Sequence, residues 1–389
     1  MPIRLATEQD HDEVITTFAV CFNQDVEQAL KDRKDSPINN HEQFILNVDD
    51  KNKVQSMLSV VDFNVYFEKN IVRYGGIAGV STLPEFRRMG KFRETMKYAL
   101  TYMKEHNMIL SGLAPFKCEF YRKFGYEWVY NWKIISVSLD DLQTLKKASS
   151  YRNFSAKSAN VLEKFRNKII QNINGCVVRD DYFVKNQWSK YQNRHYFVVG
   201  VYENHKLVSY MVYNTENNTI KVDEIYFKDE ISRQYLLAYL YDFKDQYEKV
   251  EIVLERDDNL RTVLPNPRIN CWWWPNMMGR IVMVKEALEL LNIKQKFNKS
   301  YNLRVVDKMA SWNDKTFNIS YSNKHLKVVE TKEKIDIEIS IQRLTQLVFG
   351  FLSAKDAIES NLIIIYNQSA SDSFCKSFTK RKVMIWQEF

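Results

Sequence analysis

The sequence contains few of the residues that build disulfide frameworks, metal centres and flexible linkers. Of its 389 residues, 5 are Cys, 6 are His, 10 are Gly and 7 are Pro. The cysteines are odd in number and far apart, and the histidines form no HxH or HxxxH pair, so we expect reduced thiols and no metal site. The absence of long Gly/Ser/Pro stretches indicates domains that are packed together rather than strung on linkers.

Long apolar runs are also missing. No segment approaches the ~20 apolar residues that would span a bilayer. The first residues, MPIRLATEQDHDEV, turn polar at once, unlike a signal peptide. We therefore expect a cytoplasmic protein with no membrane partner. The net charge is +8, but Lys and Arg alternate with Asp and Glu, so we expect no nucleic-acid partner either.

What the chain does contain is typical of a globular protein of more than one domain. Hydrophobic residues make up 45% of the sequence and charged residues 27%. The length is too great for one ordinary domain and predicts two or three.

One stretch has the features of a phosphate site. Ile77 to Leu83 reads as a β-strand that Pro84 ends, and an amphipathic helix runs from about Phe92 to His106. Between them lies the turn Arg87-Arg88-Met89-Gly90. The free N–H groups and positive dipole of a helix start, with a glycine beside them, suit a pyrophosphate. The alternative is ordinary α/β packing with a solvated basic turn.

Three motifs carry a resemblance to a known family. Val80 to Phe92 resembles the acetyl-CoA loop of GNAT N-acetyltransferases, whose pattern is Arg/Gln-x-x-Gly-x-Gly/Ala. Phe92 stands where that pattern has a small residue, as in the enhanced intracellular survival (Eis) type. The segment FYRKFGY, residues 120–126, resembles the tyrosine motif of that type, and the chain ends in Glu388-Phe389. In this family the C-terminal carboxylate takes part in catalysis.

The resemblance implies an α/β (α+β) protein with tandem GNAT folds and mixed central sheets, followed by a sterol-carrier-protein-like α+β domain. We expect a catalytic GNAT domain at 1–145, a degenerate second GNAT domain at 146–284 and the carrier-like domain at 285–389. The turn Lys228 to Ser232 of the second unit has two acids and no glycine, which would repel a pyrophosphate. An apolar tunnel is the functional interpretation of the third domain. A filled core that braces the chain end is the alternative we prefer.

Two further expectations concern local packing. Ile71 to Tyr74 is predicted to be a strand separate from the strand that begins at Ile77, with Gly75 and Gly76 between them. Trp272-Trp273-Trp274-Pro275 is predicted to be buried in a core or a seam between domains, because large aromatic side chains mainly serve packing. A ligand-stacking platform is the alternative for these tryptophans.

The resemblance assigns roles to individual residues. Tyr126 would be the general acid, since a tyrosine of reference pKa ~10 is protonated at neutral pH and can protonate a thiolate. The α-carboxylate of Phe389 would be the general base. A core tyrosine and an ordinary chain terminus are the alternatives. Acetyl-CoA would be held by residues of both motifs: Val80, Ser81, Thr82, Arg87, Arg88, Met89, Gly90, Lys91, Phe92, Arg93, Tyr121 and Arg122.

The expected function is acetyl-CoA-dependent N-acetylation of primary amines, namely polyamines, aminoglycosides or lysine side chains. The resemblance also implies a homo-oligomer, a hexamer. A lipid or small-molecule carrier that uses its last domain, with acetyl-CoA as a structural ligand, is the alternative from another class. A tandem-GNAT aminoacyltransferase acting on cell-wall precursors would need a basic arm for tRNA, and the sequence has none.

Overall fold

A computed structural model describes residues 2–33 and 41–385 of the chain. The terminal residue Phe389, the predicted base, lies outside these residues. The described chain divides into two compact units. One comprises the residues up to Tyr130, the segment Asn174–Val177 and the residues from Met277 onwards, and the other comprises Asn131–Ile173 and Val178–Asn276. The domain bounds predicted at 145 and 284 stay predictions.

The first predicted domain is built on a mixed sheet. In chain order its elements are β1 (Ile3–Leu5), α1 (His11–Cys21), α2 (Val26–Arg33), β2 (Glu42–Val48), β3 (Val54–Phe67), β4 (Asn70–Thr82), α3 (Lys91–Glu105), β5 (Leu110–Leu113), α4 (Cys118–Arg122) and β6 (Glu127–Ser138). Strands β1 to β4 pair antiparallel in sequence order, and β5 joins β4 in parallel. A parallel neighbour needs a crossover, and α3 supplies it.

The two strands predicted around Gly75 and Gly76 are one strand, β4, so that expectation is wrong. A Cβ atom at Gly75 would lie only 2.3 Å from the Met103 sulfur on α3. The glycine therefore permits close packing of the helix on the sheet and does not interrupt the strand.

The second predicted domain follows with the same kinds of element. They are β7 (Tyr151–Asn153), α5 (Ala159–Ile170), β8 (Val177–Val178), α6 (Asp181–Asn193), β9 (Phe197–Glu203), β10 (Lys206–Glu216), β11 (Thr219–Phe227), α7 (Glu230–Tyr241), β12 (Lys249–Leu254) and β13 (Asn270–Ile281). Strands β9, β10 and β11 pair antiparallel, β12 is parallel to β11, and Lys133–Ser138 of β6 lies antiparallel to β12. The sequence patterns did not predict α6 or β12, and they extended α7 beyond Tyr241.

The three tryptophans of β13 are not buried, so the predicted burial is wrong. Trp272, Trp273 and Trp274 are 36%, 49% and 59% exposed. Every residue from Asn270 to Pro275 is exposed. Neither face of this half of the strand is buried, and strand alternation therefore cannot bury alternate rings.

The last domain is a five-stranded mixed sheet closed by helices. Its elements are α8 (Val284–Glu289), β14 (Tyr301–Val306), β15 (Thr316–Ser322), β16 (His325–Thr331), β17 (Ile337–Ser340), α9 (Ile341–Phe349), α10 (Ala354–Glu359), β18 (Ile364–Ile365) and α11 (Ser371–Ser377). The strand order is β16-β15-β14-β17-β18, with β14 and β17 parallel. Leu344, Leu347 and Val348 of α9 are fully buried, as the spacing of that helix predicts.

Candidate active site

The first feature of the site is the point where β4 and β5 separate. Their parallel pairing covers only Tyr74–Gly76 of β4, opposite Leu110–Gly112. Beyond Gly76, β4 continues to Thr82 and pairs with β3 alone among the described strands. The other edge of this half of β4 can therefore offer backbone N–H and C=O groups to an extended ligand that carries amides.

The second feature is the start of α3, which the separated end of β4 leads into. Gly90 caps the helix in the left-handed region, at φ 81°, and no side chain of the described residues bonds to the cap. A Cβ atom at Gly90 would meet nothing within 4 Å. Arg87 and Arg88 are exposed beside it. An uncapped helix start with free space and two cations fits a pyrophosphate.

The predicted coenzyme residues divide into those that present side chains and those that present only backbone. Arg88, Met89 and Arg93 are exposed, whereas Lys91 and Phe92 are buried. On β4, Val80 and Thr82 are half-buried and Ser81 is buried. The Ser81 hydroxyl has no hydrogen-bond partner in the described part of the chain. Arg87 donates from Nε to the Thr82 carbonyl at 3.1 Å, which fixes the turn.

The packing of Phe92 explains why a large residue stands where the family pattern has a small one. Its ring packs against Phe120 and Phe124, with centroid distances of 5.2 and 5.1 Å. Both partners belong to the tyrosine motif, so Phe92 joins the start of α3 to that motif. The two predicted motifs, far apart in sequence, are thereby brought together.

Tyr126 is completely buried and its proton is engaged. Its hydroxyl lies 2.7 Å from the Ser111 hydroxyl, and Ser111 donates to the Gly75 carbonyl at 2.6 Å. Because the Ser111 hydrogen is used on Gly75, Tyr126 donates to Ser111. Burial raises the pKa of Tyr126 to about 12, although the Ser111 hydrogen bond and the charge of Arg280 act in the opposite direction. Tyr126 is therefore protonated at neutral pH.

Tyr121, on α4, is close to Tyr126 but in a different state. The two ring centroids are 6.4 Å apart. Tyr121 is 3% exposed, burial raises the pKa of its hydroxyl, and that hydroxyl has no hydrogen-bond partner among residues 2–33 and 41–385. Its ring also contacts Phe116, which is 73% exposed. The Tyr121 hydroxyl therefore donates no hydrogen bond to another described residue.

The side chain of Arg122 is committed to an internal partner. It makes three hydrogen bonds of 2.8–3.0 Å to the carboxylate of Glu127, which is 2% exposed. Arg343 lies 3.8 Å from the same carboxylate. Arg122 therefore links the tyrosine motif to Glu127 through Nε and Nη2, and its side chain remains 45% exposed. In the sequence, the only indication of this pairing is that Glu127 directly follows the motif.

A second arginine supports the turn from Phe124 to Tyr126. Arg280 is fully buried, donates to the Phe124 carbonyl at 2.6 Å, and bonds both oxygens of Asp307 at 2.9 and 2.7 Å. A Cβ atom at Gly125 would lie 1.4 Å from Arg280 Nη1, so only glycine permits this approach. Sequence reasoning missed Arg280, Asp307 and Ser111, since none of them lies in a motif.

The predicted base, the α-carboxylate of Phe389, lies outside the described residues. The last three residues that the structure describes, Val383, Met384 and Ile385, are buried. Met384 donates its backbone N–H to Asn174, and Asn174 donates to Lys382. The apolar tail is therefore inserted up to the last described residue.

The corresponding helix start of the second predicted domain is unfavourable to an anion. Asp229 caps α7, and its carboxylate accepts the Ser232 N–H. The Ser232 hydroxyl in turn accepts the Asp229 N–H. The pKa of Asp229 is lowered by these bonds, so the cap carries a negative charge. The Asp229 carboxylate already accepts one of the N–H groups that a pyrophosphate would use, and its charge repels an anion.

Within residues 2–33 and 41–385, no group of three or more His, Cys, Asp and Glu side chains is arranged to hold a metal ion. None of the described helices combines the length and the apolar character needed to cross a membrane.

Comparison with protein families identifies three domains. Residues 2–129 and residues 175–281 each match a model described as an acetyltransferase (GNAT) domain. Residues 284–386 match a sterol carrier protein domain. GNAT acetyltransferases use acetyl-CoA, which the geometry of β4 and α3 fits. No curated protein sequence matches the chain.

Solved structures share this fold over the whole chain. A conserved protein of unknown function from Enterococcus faecalis V583 has a TM-score of 0.90 at 19% identity, with 100% of both chains covered. A GCN5-related N-acetyltransferase from Anabaena variabilis has a TM-score of 0.85 at 18% identity, covering 99% of each chain. Eis1 from Mycobacterium abscessus has a TM-score of 0.81 at 16% identity, with both chains covered completely. The chain is accordingly a GNAT-family acetyltransferase with two GNAT domains, a sterol carrier protein domain and the fold of Eis1.

Proposed function

We propose that this acetyltransferase transfers the acetyl group of acetyl-CoA directly to a primary amine of a polyamine, an aminoglycoside-like compound or a lysine side chain. The observation that carries the proposal is the separation of β4 from β5 beside an uncapped, basic helix start. The open edge at Val80 to Thr82 suits the amides of a pantetheine arm, and the start of α3 suits the pyrophosphate. The first GNAT domain is the working one, because Asp229 closes the equivalent helix start of the second.

The chain must supply a proton where the thiolate leaves. The amine nitrogen forms a bond to the carbonyl carbon, the C–S bond breaks, and a tyrosine hydroxyl gives its proton to the sulfur. Tyr126 is the donor expected from sequence, but its proton already bonds Ser111. Tyr121 has no such partner and is the less buried of the two. These two facts favour Tyr121 as the group that meets the sulfur, with Tyr126 beneath it as the alternative donor.

The chain must also accept the proton that the amine loses. The proposed base is the terminal carboxylate of Phe389, whose reference pKa of ~3.3–3.7 makes it weak in water. Desolvation would strengthen it. Its negative charge would also attract a cationic amine. The buried tail from Val383 to Ile385 gives a physical reason for the carboxylate to be held in one place.

The experiment is thiol release from acetyl-CoA with spermidine, an aminoglycoside and Nα-acetyl-lysine as acceptors. We compare the wild type with Tyr121→Phe, Tyr126→Phe and a chain lacking Phe389, and we measure acetyl-CoA binding of each by calorimetry. We expect turnover in the wild type, with a loss of kcat of roughly 100-fold on removal of the donor tyrosine or the terminal residue. Binding of acetyl-CoA should persist in each variant.

The outcomes separate the parts of the proposal. Loss with Tyr121→Phe but not with Tyr126→Phe assigns the donor to Tyr121, and the reverse result assigns it to Tyr126. Turnover that does not depend on Phe389 removes the terminal base. Tight acetyl-CoA binding without turnover of any amine would overturn the proposed function and favour a carrier.

A further inference from the structure

The second compact unit contains a cavity that the proposed acetyl transfer does not use. Its volume is about 290 Å³. The lining residues come from β6, β12, β13 and the loop between the last two: Lys133, Ile135, Leu254, Leu260, Arg261, Ile269, Cys271 and Trp273. Ile135, Leu254 and Leu260 are buried and form an apolar floor. A cavity of this size lies at the lower limit of small-molecule sites, which are ~300–1,000 Å³, and suits a ligand of one or two rings.

The polar groups at this cavity are cationic. Lys133 and Arg261 are the two charged lining residues, and no carboxylate lines the cavity. Lys133 donates to the backbone carbonyl of Asp258 and forms no ion pair with another residue of the described chain. The carboxylate of Asp258 is bonded to Arg233 at 2.8 and 2.7 Å, and the same guanidinium also bonds Glu230.

The aromatic wall is Trp273, which is 49% exposed. The Lys133 ammonium lies 5.6 Å from the centroid of the Trp273 ring, so the cation and the indole border the same space. Trp272 and Trp274, its neighbours on β13, do not line the cavity. Strand alternation places them on the opposite face, which makes them matched controls.

We infer that this cavity is a binding site for a small planar aromatic anion, such as an aromatic carboxylate. The indole of Trp273 would stack on the ring of the ligand, the apolar floor would cover its edge, and Lys133 and Arg261 would hold its negative group. The residues that carry this inference all lie between Asn131 and Asn276, outside the proposed coenzyme motifs. The binding-site proposal can therefore be tested independently of the acetyl-transfer mechanism.

The test uses benzoate as the probe, with two close analogues. Benzamide has nearly the same shape without the charge, and cyclohexanecarboxylate has the charge without the aromatic ring. We expect calorimetry on the full-length protein to give a dissociation constant in the millimolar range for benzoate. Both analogues should bind at least tenfold more weakly.

Variants locate the site. Arg261→Met and Trp273→Leu should each weaken benzoate binding by roughly tenfold, whereas Trp274→Leu should leave it unchanged. Arg261 has no side-chain hydrogen bond to another described residue, so its removal keeps the fold intact. Lys133→Met serves as a second charge variant, with thermal unfolding measured alongside.

Cys271 supplies an independent reporter, because it is an exposed thiol in the cavity wall. Benzoate should slow its alkylation by iodoacetamide, and Cys271→Ser should remove that protected signal. Equal binding of benzoate and benzamide, or binding that is insensitive to both Arg261→Met and Trp273→Leu, would overturn the inference. Absence of benzoate binding at tens of millimolar would do the same.

Discussion

At the scale of single residues, the two tyrosines of the site differ in what their protons do. The Tyr126 hydroxyl is the end of a chain that runs through Ser111 to the Gly75 carbonyl. The Tyr121 hydroxyl has no partner in the described chain, and its ring borders the exposed Phe116. A proton that is held by an internal acceptor is released less readily than one that meets only the substrate. Position in a motif therefore identifies the pair, and hydrogen bonding separates the two members.

The raised pKa of Tyr126 predicts how stability depends on alkaline pH. The folded pKa is about 12, against a reference of ~10 in the unfolded chain. Below pH 10 the Tyr126 hydroxyl is protonated in both the folded and the unfolded chain. Above pH 10 it loses its proton first in the unfolded chain, so the free energy of unfolding falls as pH rises from about 10 to 12. Tyr126→Phe should reduce the slope of unfolding free energy against pH in that window by about 1.4 kcal/mol per unit.

Urea unfolding at several pH values between 9 and 11.5 measures this slope. The matched control is Tyr366→Phe, the same change at a tyrosine that is 58% exposed, which should leave the slope as it is in the wild type. An identical slope in the two variants would contradict the burial of the Tyr126 hydroxyl.

The sequence identified the residues of the two motifs but not their partners. Arg122 was predicted to contact the coenzyme because it stands in the tyrosine motif, and its hydrogen bonds to Glu127 were not predicted. Ser111 and Asp307 lie outside any motif, and their contacts form only when the strands and domains assemble. A motif specifies neighbours along the chain, while hydrogen-bond partners depend on tertiary packing.

At the scale of elements, the helices α3 and α7 occupy corresponding places in the two GNAT domains but are capped differently. Gly90 leaves the first helix start open, and Asp229 closes the second with a carboxylate. Gly90→Asp should therefore raise the KM for acetyl-CoA about tenfold, since a negative charge at the helix start opposes an anionic ligand. The effect should shrink as salt increases.

Gly90→Asn is the matched control for that change. Asn and Asp have the same size and both tolerate the left-handed backbone that Gly90 adopts. Steady-state kinetics of the two variants thus isolates the charge. If Gly90→Asn raises KM as much as Gly90→Asp, the start of α3 is sensitive to shape and not to charge, and its assignment to the pyrophosphate fails.

The turn between α4 and β6 is held from below by Arg280 and Asp307. Arg280→Lys keeps the charge but cannot bond the Phe124 carbonyl and both Asp307 oxygens together. We expect kcat to fall by roughly 10- to 100-fold with the KM for acetyl-CoA nearly unchanged, because the turn positions the tyrosines and not the pyrophosphate. Removal of one partner, in Asp307→Asn, should destabilise the fold by about 3–5 kcal/mol.

The double variant Arg280→Met/Asp307→Leu separates positioning from stability. Replacing a buried pair with apolar side chains often restores stability. Thermal unfolding should therefore recover relative to Asp307→Asn, while kcat stays low. A double variant with wild-type kcat would show that the tyrosine turn does not need this support.

Element prediction succeeded where one periodicity dominated and failed where packing overrode it. The strand–turn–helix from β4 to α3 and the strands of the last domain follow their patterns. The glycine pair was interpreted as a break because its close contact with Met103 is invisible in sequence. The tryptophans were predicted to be buried from their size alone, and nothing in the sequence marks this half of β13 as exposed.

At the scale of the whole molecule, one carboxylate ties distant parts of the chain together. Glu68, at the turn between β3 and β4, accepts hydrogen bonds from Asn174 at 3.0 Å, from the Asn292 backbone at 2.9 Å and from Arg381 at 2.9 Å. Its own backbone donates to Asn174. The tail that leads to the chain end is thus fixed to the first GNAT domain, which contains the tyrosines.

This anchor gives the last prediction. Arg381 is nearly buried and pairs with Glu68, whereas the neighbouring Lys382 is exposed. If the terminal carboxylate is the base, Arg381→Met should displace it and lower kcat by roughly 10- to 100-fold, with acetyl-CoA binding retained. Lys382→Met, which removes a cation one residue away, should have wild-type turnover.

Deletion of Phe389 in the Arg381→Met background should then lower kcat little further, because both changes remove the same group from its place. Steady-state kinetics of the three variants measures these kcat values. If the effects of Arg381→Met and of the Phe389 deletion on kcat are fully additive, the tail anchor and the terminal residue act separately.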